Sequence, residues 1–288
     1  KTKLAIMVPM GGVIGQIEEV ATICTERNIL LLEDCAQSNG ASQFGRMVGT
    51  YGDMSIFSFQ INKKMAAGGG CAVLTNSEEL YKKAIAVHDM GYVKNTDGSL
   101  ELEDTAMQFW GIGCRMNEVT AAILRVQLKK LDTIVTSMRS FKHELIGILS
   151  AYEGISTRYI ADPDGDGGSF LKMIFRDKPS SLKFKEGLVA NGISVKKYGF
   201  YPIHMTEWGL HIYSKIPSLV YKKSICGHHS VWELEENKWA KDYTYGEGTL
   251  PVLDDYVQRT VLFCIASKLT EDQKDLIRTA FVQTCEQM

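Results

Sequence analysis

The sequence has little net charge of either sign, because 32 basic side chains nearly balance 34 acidic ones over 288 residues. No overall field therefore favours nucleic acid or an anionic membrane, and we expect neither as a partner. A long apolar run is missing too: the uncharged opening stretch, 4–17, is too short to span a bilayer and contains three glycines. Internal repeats and low-complexity tracts are also absent, which argues against repeat architectures and disorder.

No cysteine stands in a CxxC pair, and the total of seven is odd. This scatter is typical of reduced thiols in a cytoplasmic protein rather than of a disulfide framework. Most of these positions should be small buried side chains. What the sequence does contain is the balance of a folded protein, 45% hydrophobic and 23% charged, with length for one large domain or two smaller ones.

Strand-like and helix-like segments alternate through the first part of the chain, which predicts an α/β fold. Helical spacing indicates one long helix from about Asn117 to beyond Met138. The second half is predicted to be α+β, and its closing helix begins with a capping box of Thr270 and Gln273. The predicted strands are 4–8, 29–32, 54–59, 71–74, 169–175 and 261–266, and the other predicted helices are 17–27, 77–88, 180–190 and 270–285. A domain change near residue 140 is expected, with domains over 1–140 and 141–288.

Polar residues follow two of the predicted strands at their carboxyl ends, where open α/β sheets bind ligands. One strand delivers Asp34 and Gln37, and the next delivers Ser58, Lys63 and Lys64 before a glycine-rich turn. A buried strand-end acid needs a partner, such as a protonated heterocyclic nitrogen, and a desolvated lysine can attack a carbonyl. These features suit a pyridoxal phosphate site. The alternative is that the acid is a helix cap and that the lysines are solvated, which is commoner for each residue alone.

Four motifs in a fixed order carry a resemblance to a known family. They read EDCAQ at 33–37, GRMVG at 45–49, GDM at 52–54 and FSFQINK at 57–63. This set resembles the DegT/DnrJ/EryC1/StrS family of pyridoxal-phosphate-dependent sugar aminotransferases. Further downstream, RMNE at 115–118 and the segments around Leu250, Arg259 and Leu269 are similar to the same family.

The resemblance implies fold type I, the aspartate aminotransferase-like architecture. Residues 1–140 would be a truncated large domain with a mainly parallel sheet that binds pyridoxal 5'-phosphate, and 141–288 a small α+β C-terminal domain. Lys63 would be the Schiff-base lysine and the catalytic acid and base. Asp34 would pair with the pyridine nitrogen, Gln37 would contact the phenolate side of the ring, and Ser58 would donate to the phosphate. Lys64 lacks the motif spacing and is expected to be solvated. Relatives with histidine in place of the lysine are dehydratases, and Lys63 argues against that activity.

The reaction implied by the resemblance is a two-step transamination from glutamate or glutamine to a keto- or aldehyde-sugar. A homodimer with shared active sites is implied as well. The segments DPDGD at 162–166 and CGHH at 226–229, with the Trp208 region, resemble the 8-amino-3,8-dideoxy-octulosonate transaminases, which aminate an eight-carbon keto-sugar acid. Other nucleotide-sugar or cyclitol aminotransferases remain open.

The sequence also departs from the family. It reads GGGC at 68–71, where relatives carry an acidic residue, and GC at 113–114, where they often carry Asn-Tyr. It opens at Lys1 in mid-pattern, so the family's glycine-rich phosphate-binding helix start and ring-stacking aromatic would precede it. The alternative hypothesis is therefore an inactive fragment or pseudoenzyme that retains only association.

Two patterns resemble metal sites without completing them. The segment 162–167 matches the start of an EF-hand loop, but Met173 stands at the twelfth position, where glutamate is required. Cys226, His228 and His229 lack a second ligand cluster at zinc spacing. We expect no bound metal.

Overall fold

The computed structural model of the chain describes residues 2–95, 97–101, 108–193, 199–224 and 231–288. The chain divides into two compact units. The first comprises Lys1–Phe141 and Tyr159–Ser169, and the second comprises Lys142–Arg158 and Phe170–Met288.

A four-stranded sheet forms the centre of the first unit. Its strands are β1 (Leu4–Met7), β2 (Leu30–Asp34), β5 (Met54–Ser58) and β6 (Cys71–Thr75), and a hairpin of β3 (Ser42–Gln43) and β4 (Arg46–Met47) lies between β2 and β5 in sequence. The spatial order is β1-β2-β5-β6. Strands β1, β2 and β5 run parallel, and β6 is antiparallel to β5. The predicted mainly parallel sheet is therefore present.

The α-helices that begin in the described residues of this part are α1 (Ile17–Glu26), α2 (Glu78–His88), α3 (Glu118–Leu128) and α4 (Leu131–Leu149). The prediction of one long helix from Asn117 is wrong, because α3 and α4 are separated by a turn at 129–130. Among the side chains of α3 none is buried, whereas Leu131 and Val135 pack into a core cluster with Phe59. Because of this turn, α4 places Leu131 and Val135 in the core. No glycine or proline marks the break in the sequence.

The second unit is an antiparallel sheet with helices packed on it. Its strands are β7 (Ile155–Thr157), β8 (Phe170–Phe175), β9 (Tyr201–His204) and β10 (Thr260–Cys264), in the spatial order β7-β8-β10-β9. Its helices are α5 (Lys178–Ala190), α6 (Pro217–Val220), α7 (Pro251–Gln258) and α8 (Glu271–Glu286). Edge-to-face and tilted ring contacts join Phe175, Phe184, Phe263 and Phe281 in its core. The predicted capping box of Thr270 and Gln273 is confirmed.

Hydropathy does not single out any helix in the described ranges as long and apolar enough to cross a membrane.

Candidate active site at the carboxyl ends of the parallel strands

Three loops leave the parallel strands at one edge of the sheet of the first unit. The register pairs Met7 of β1 with Glu33 of β2, and Asp34 of β2 with Ile56 of β5, so the carboxyl ends of these strands are neighbours. The four residues predicted from the sequence lie at the strand ends or on the loops that follow: Asp34, Gln37, Ser58 and Lys63.

Side-chain amides fasten these loops to one another. Gln37 Oε1 accepts the N–H of Gly11 at 3.0 Å, which joins the loop after β2 to the loop after β1. Asn39 is buried, and its Nδ2 donates to the carbonyl of Ser58 at 3.2 Å, which joins the loop after β2 to the end of β5. The three loops therefore form one connected edge.

Glu33 is fully buried and holds the turn that precedes β5. Its Oε1 accepts the N–H groups of Tyr51 at 2.6 Å and Gly52 at 2.7 Å, and its Oε2 accepts the N–H of Gly49 at 2.7 Å. Charge-assisted hydrogen bonds of this kind make a buried carboxylate tolerable. The sequence motif contains Glu33 but assigns it no role. Strand alternation could have found it, because Glu33 shares a face with buried Leu31.

Asp34 lies on the other face of β2 and is half-buried. Its Oδ1 accepts the N–H of Ala36 at 3.1 Å in a turn that fixes the carboxylate at the strand end. No other described residue hydrogen-bonds to this carboxylate, so Oδ2 is left for a ligand.

Cys35 follows Asp34 in the motif, and its side chain is buried. Burial, together with the charges of Glu33 and Asp34, raises the pKa of the Cys35 thiol to about 12. A thiol that stays protonated at neutral pH is a poor nucleophile, so Cys35 contributes packing rather than chemistry.

Lys63 lies on a closed loop after β5. The N–H of Phe59 donates to Gly70 and the N–H of Ala67 donates to Phe59, both at 3.0 Å, and this brings the two ends of the loop together. Buried Phe59 and Met65 anchor the loop in the core. The Lys63 side chain is half-buried, and its amine has no hydrogen bond or ion pair with any residue that the structure describes.

The adjacent Lys64 is already engaged. Its Nζ donates to the carbonyl of Gly167 at 2.9 Å, and the N–H of Gly167 donates to the carbonyl of Gly12, also at 2.9 Å. The expectation of a solvated Lys64 is therefore wrong, because the segment 159–169 returns to the first unit and brings this carbonyl within reach. Two lysines that are adjacent in sequence thus differ in whether their amine is available.

Ser58 closes β5 and is half-buried. Its Oγ accepts the N–H of Gln60 at 3.4 Å, and no described acceptor takes the hydroxyl proton. Across the β5–β6 pair its partner in register is Cys71. The hydroxyl can therefore still donate to a ligand.

The glycine-rich turn after the Lys63 loop needs glycine at Gly70. Its φ is 90°, and a Cβ there would lie 2.6 Å from Cε of Met116. Met116 packs against the cluster that contains Phe59 and Met65. Nε of the preceding Arg115 pairs with Asp89 Oδ1 at 3.0 Å. The RMNE motif thus supports the base of the Lys63 loop.

A carboxylate oxygen, a hydroxyl donor and an amine are therefore uncommitted at one sheet edge, as far as the described residues show. This set suits the three parts of pyridoxal phosphate: the pyridinium N–H, the phosphate and the aldehyde. With the mainly parallel sheet and the α+β second unit, it defines the pyridoxal-phosphate-dependent class of fold type I.

The chain belongs to the DegT/DnrJ/EryC1/StrS aminotransferase family, whose family model matches residues 1–226. It is 31% identical over 156 residues to a GDP-perosamine synthase of Vibrio cholerae, which covers 51% of this chain and 40% of that protein. It is also 31% identical over 158 residues to an L-glutamine:2-deoxy-scyllo-inosose aminotransferase of Streptoalloteichus tenebrarius, covering 54% of this chain and 37% of that one. The matches thus span well under two thirds of these curated relatives.

Solved structures share the fold. The aminotransferase TlmJ from Streptoalloteichus hindustanus matches 99% of this chain with a TM-score of 0.71 and 20% identity, over 66% of its own length. An E. coli GDP-4-keto-6-deoxy-D-mannose-3-dehydratase with bound hydrated PLP matches 97% with a TM-score of 0.68 and 20% identity, over 67% of its length. The predicted family and fold type I are confirmed.

The two metal-like patterns have different outcomes. Pro163–Gly165 forms a short helical turn, and Asp162 Oδ2 accepts the N–H of Phe44 at 2.6 Å. The residues at 226–229 lie outside the described ranges. Within those ranges no three His, Cys, Asp or Glu side chains are grouped to hold a metal ion.

Proposed function

We propose that this chain is a sugar aminotransferase that passes an amino group from glutamate or glutamine to a keto- or aldehyde-sugar. The observation that carries the proposal is the contrast between two neighbouring amines, since Lys63 is uncommitted among the described residues while Lys64 is held by Gly167. Family membership over residues 1–226 supports the same reaction class.

The chain's own residues would hold the cofactor, pyridoxal phosphate, at the edge described above. Asp34 would accept from the pyridine nitrogen through Oδ2, and Ser58 would donate its hydroxyl to the phosphate. Gln37 would lie on the phenolate side of the ring, and Lys63 would bond to the aldehyde carbon. When bound, the cofactor supplies an electron sink for the substrate carbon.

Lys63 would also move the proton of the reaction. An amine that is released from its covalent bond can take a proton from the substrate carbon and return it to the cofactor side. The closed loop between Phe59 and Ala67 keeps this amine near its starting position, because both loop ends are hydrogen-bonded. Correct placement of a base supplies much of the rate in such steps.

For the sugar, we favour an eight-carbon keto-sugar acid of the lipopolysaccharide type. The resemblance of the segments 162–166 and 226–229 to the octulosonate transaminases supports this choice. The names of the relatives also point to nucleotide sugars and cyclitols, and the name of the Streptoalloteichus relative includes L-glutamine, which supports glutamine as donor.

We further propose a cytoplasmic homodimer with shared active sites. The apolar side chains that α3 exposes, Val119, Ile123 and Val126, support a partner surface. Reduced thiols support the compartment, since the described cysteines are all free.

Visible absorbance tests the proposal directly. The purified chain with pyridoxal phosphate should show a visible band that Lys63→Ala abolishes and Lys64→Met retains. Glutamate or glutamine should bleach the band, and a keto-sugar should then restore it. A wild-type chain that dimerises without any band would instead support the alternative of an inactive member that retains only association.

A further inference from the structure

The loop after β2 carries a buried amide, Asn39, which lies outside the sequence motifs of the first unit. Its side chain is 2% exposed. The loop is fixed on both sides of it, because Cys35 and Ala41 belong to one core cluster. The N–H of Ser38 donates to Cys35 and the N–H of Ala41 donates to Ser38, both at 2.9 Å. Asn39 therefore belongs to a turn that is tied to the core.

The amide of Asn39 continues the hydrogen bonds between β2 and β5 beyond the end of β2. A backbone bond at this end joins the N–H of Cys35 to the carbonyl of Ile56 at 2.9 Å. The carbonyls of alternate residues point to the same side of a strand, so the next acceptor on this side of β5 is that of Ser58. The chain has turned away from β5 by then, and Nδ2 of Asn39 supplies the donor at 3.2 Å. Asn39 thus holds the backbone of Ser58 as a neighbouring strand would.

The other end of the Asn39 amide argues against a purely stabilising role. Its Oδ1 is buried, and no residue that the structure describes donates a hydrogen bond to it. A buried acceptor without a donor raises the free energy of the folded chain. An apolar side chain of similar size would avoid this cost, so the gain from an amide at this position lies in its bond to Ser58.

The residue that this bond holds carries the hydroxyl donor of the strand-end edge. Ser58 closes β5, and its Oγ accepts the N–H of Gln60 at 3.4 Å, while no described acceptor takes its proton. A hydrogen bond weakens steeply when its direction is wrong. The orientation of the Ser58 backbone therefore decides whether the hydroxyl can donate to an anion at this edge.

We propose that Asn39 is a positioning residue that orients Ser58, so that the Ser58 hydroxyl donates to the phosphate of the cofactor. The link to the phosphate rests on the proposed function, whereas the hold of Asn39 on the Ser58 backbone does not. Asn39 and Ser58 should then act on the phosphate as one unit, and Asn39 should have little effect on the aldehyde that bonds to Lys63.

Hydrogen exchange of the chain without cofactor, followed by mass spectrometry, tests the hold on Ser58. In Asn39→Leu the amides at 56–60 should exchange about tenfold faster than in the wild type, because a hydrogen bond that opposes opening of the strand end is removed. Asn237 gives the matched control, since its Nδ2 also donates to a backbone carbonyl, that of Val231, at 2.8 Å in the second unit. Asn237→Leu should leave exchange at 56–60 unchanged. Wild-type exchange at 56–60 in Asn39→Leu overturns the proposal.

Titration with two ligands tests the link to the phosphate. Pyridoxal 5'-phosphate and pyridoxal share the ring and the aldehyde, and only the first carries a phosphate. Judged by the visible band, Asn39→Leu should bind pyridoxal 5'-phosphate about tenfold more weakly than the wild type and pyridoxal about equally. Ser58→Ala should show the same selective loss, and the double variant should lose little more than Ser58→Ala alone. Equal losses for the two ligands, or additive losses in the double variant, overturn the proposal.

Asn39→Asp provides a second variant, which keeps the shape of the side chain. An ionised carboxylate cannot donate to the carbonyl of Ser58, so Asn39→Asp should show the same selective loss at neutral pH. A wild type that shows no band with either ligand is a failure of the proposed function instead. Hydrogen exchange needs no cofactor, so it then still decides whether Asn39 holds Ser58.

Discussion

Buried polar groups at the strand-end edge of the first unit have hydrogen-bond partners, whereas Lys172 in the sheet of the second unit lies near other positive charges. At the edge, Glu33 accepts three backbone N–H groups, and Asn39 and Lys64 each donate to a backbone carbonyl. In the second unit, the charges acting on Lys172 are those of Arg158 and Lys142, which are also positive.

This difference distinguishes polar side chains that fix the backbone from polar side chains that have no hydrogen-bond partner among the described residues. A matched buried polar group stabilises one conformation of the loops around it. An unmatched one costs free energy in the empty protein, and a ligand can recover that cost. Among the described residues, Lys63 is one of the uncommitted groups at the first edge, and the amine of Lys172 in the second unit has no hydrogen bond or ion pair.

The largest effect is expected at Glu33, whose carboxylate is matched by three backbone N–H donors. Glu33→Ala leaves three N–H groups of a tight turn without their acceptor, so we expect a loss of about 3–5 kcal/mol in the free energy of unfolding. Urea denaturation measures it, and exposed Glu79→Ala, the control, should unfold close to the wild type. A loss below about 1 kcal/mol at Glu33 would show that the turn does not depend on this carboxylate.

The pH dependence of the unfolding free energy tests the environment of Lys172. The pKa of Lys172 is depressed on folding from 10.5 to about 8, so its stabilising share is present above pH 10.5 and is lost as the pH falls through 8. Relative to Lys172→Met, the wild type should therefore lose about 2–3 kcal/mol between pH 10.5 and pH 7. Chemical denaturation of both proteins across this range measures the difference. A difference that stays flat would mean that burial and the neighbouring cations do not lower the pKa of Lys172.

Two glycine substitutions test the packing at the base of the Lys63 loop. Gly68 and Gly70 have similar φ values, 87° and 90°, but only at Gly70 would an added Cβ have a neighbour, Met116, within 4 Å. We expect about 1 kcal/mol of loss for Gly68→Ala and about 2 kcal/mol for Gly70→Ala, measured by urea denaturation. Adding Met116→Ala should recover part of the excess at Gly70 alone, and equal losses at both glycines would contradict the packing.

Lys64 should give the smallest effect. Lys64→Met removes the hydrogen bond to Gly167, so a loss of about 1 kcal/mol in unfolding free energy is expected from that bond, while the visible band persists. Denaturation and absorbance of the same sample check both parts. Disappearance of the band in a folded Lys64→Met protein would reverse the roles assigned to the two lysines.

Local patterns predicted most of the strands and helices, because apolar runs and capping residues act within a few positions. They also predicted Asp34 and Ser58 at strand ends and Lys63 on the segment that follows, and the structure places them there. The partner of Lys64 could not be predicted, since Gly167 lies 103 positions away. The break between α3 and α4 could not be either, because it is set by what Leu131 packs against.

The identity of the lysine that carries the cofactor is the most direct measurement. The chain is incubated with pyridoxal phosphate, reduced with borohydride and digested, and the labelled peptide is located by mass spectrometry. We predict the label on Lys63 and none on Lys64. A label on Lys64, or no labelled peptide from this loop, would contradict the assignment of the strand-end edge as the cofactor site.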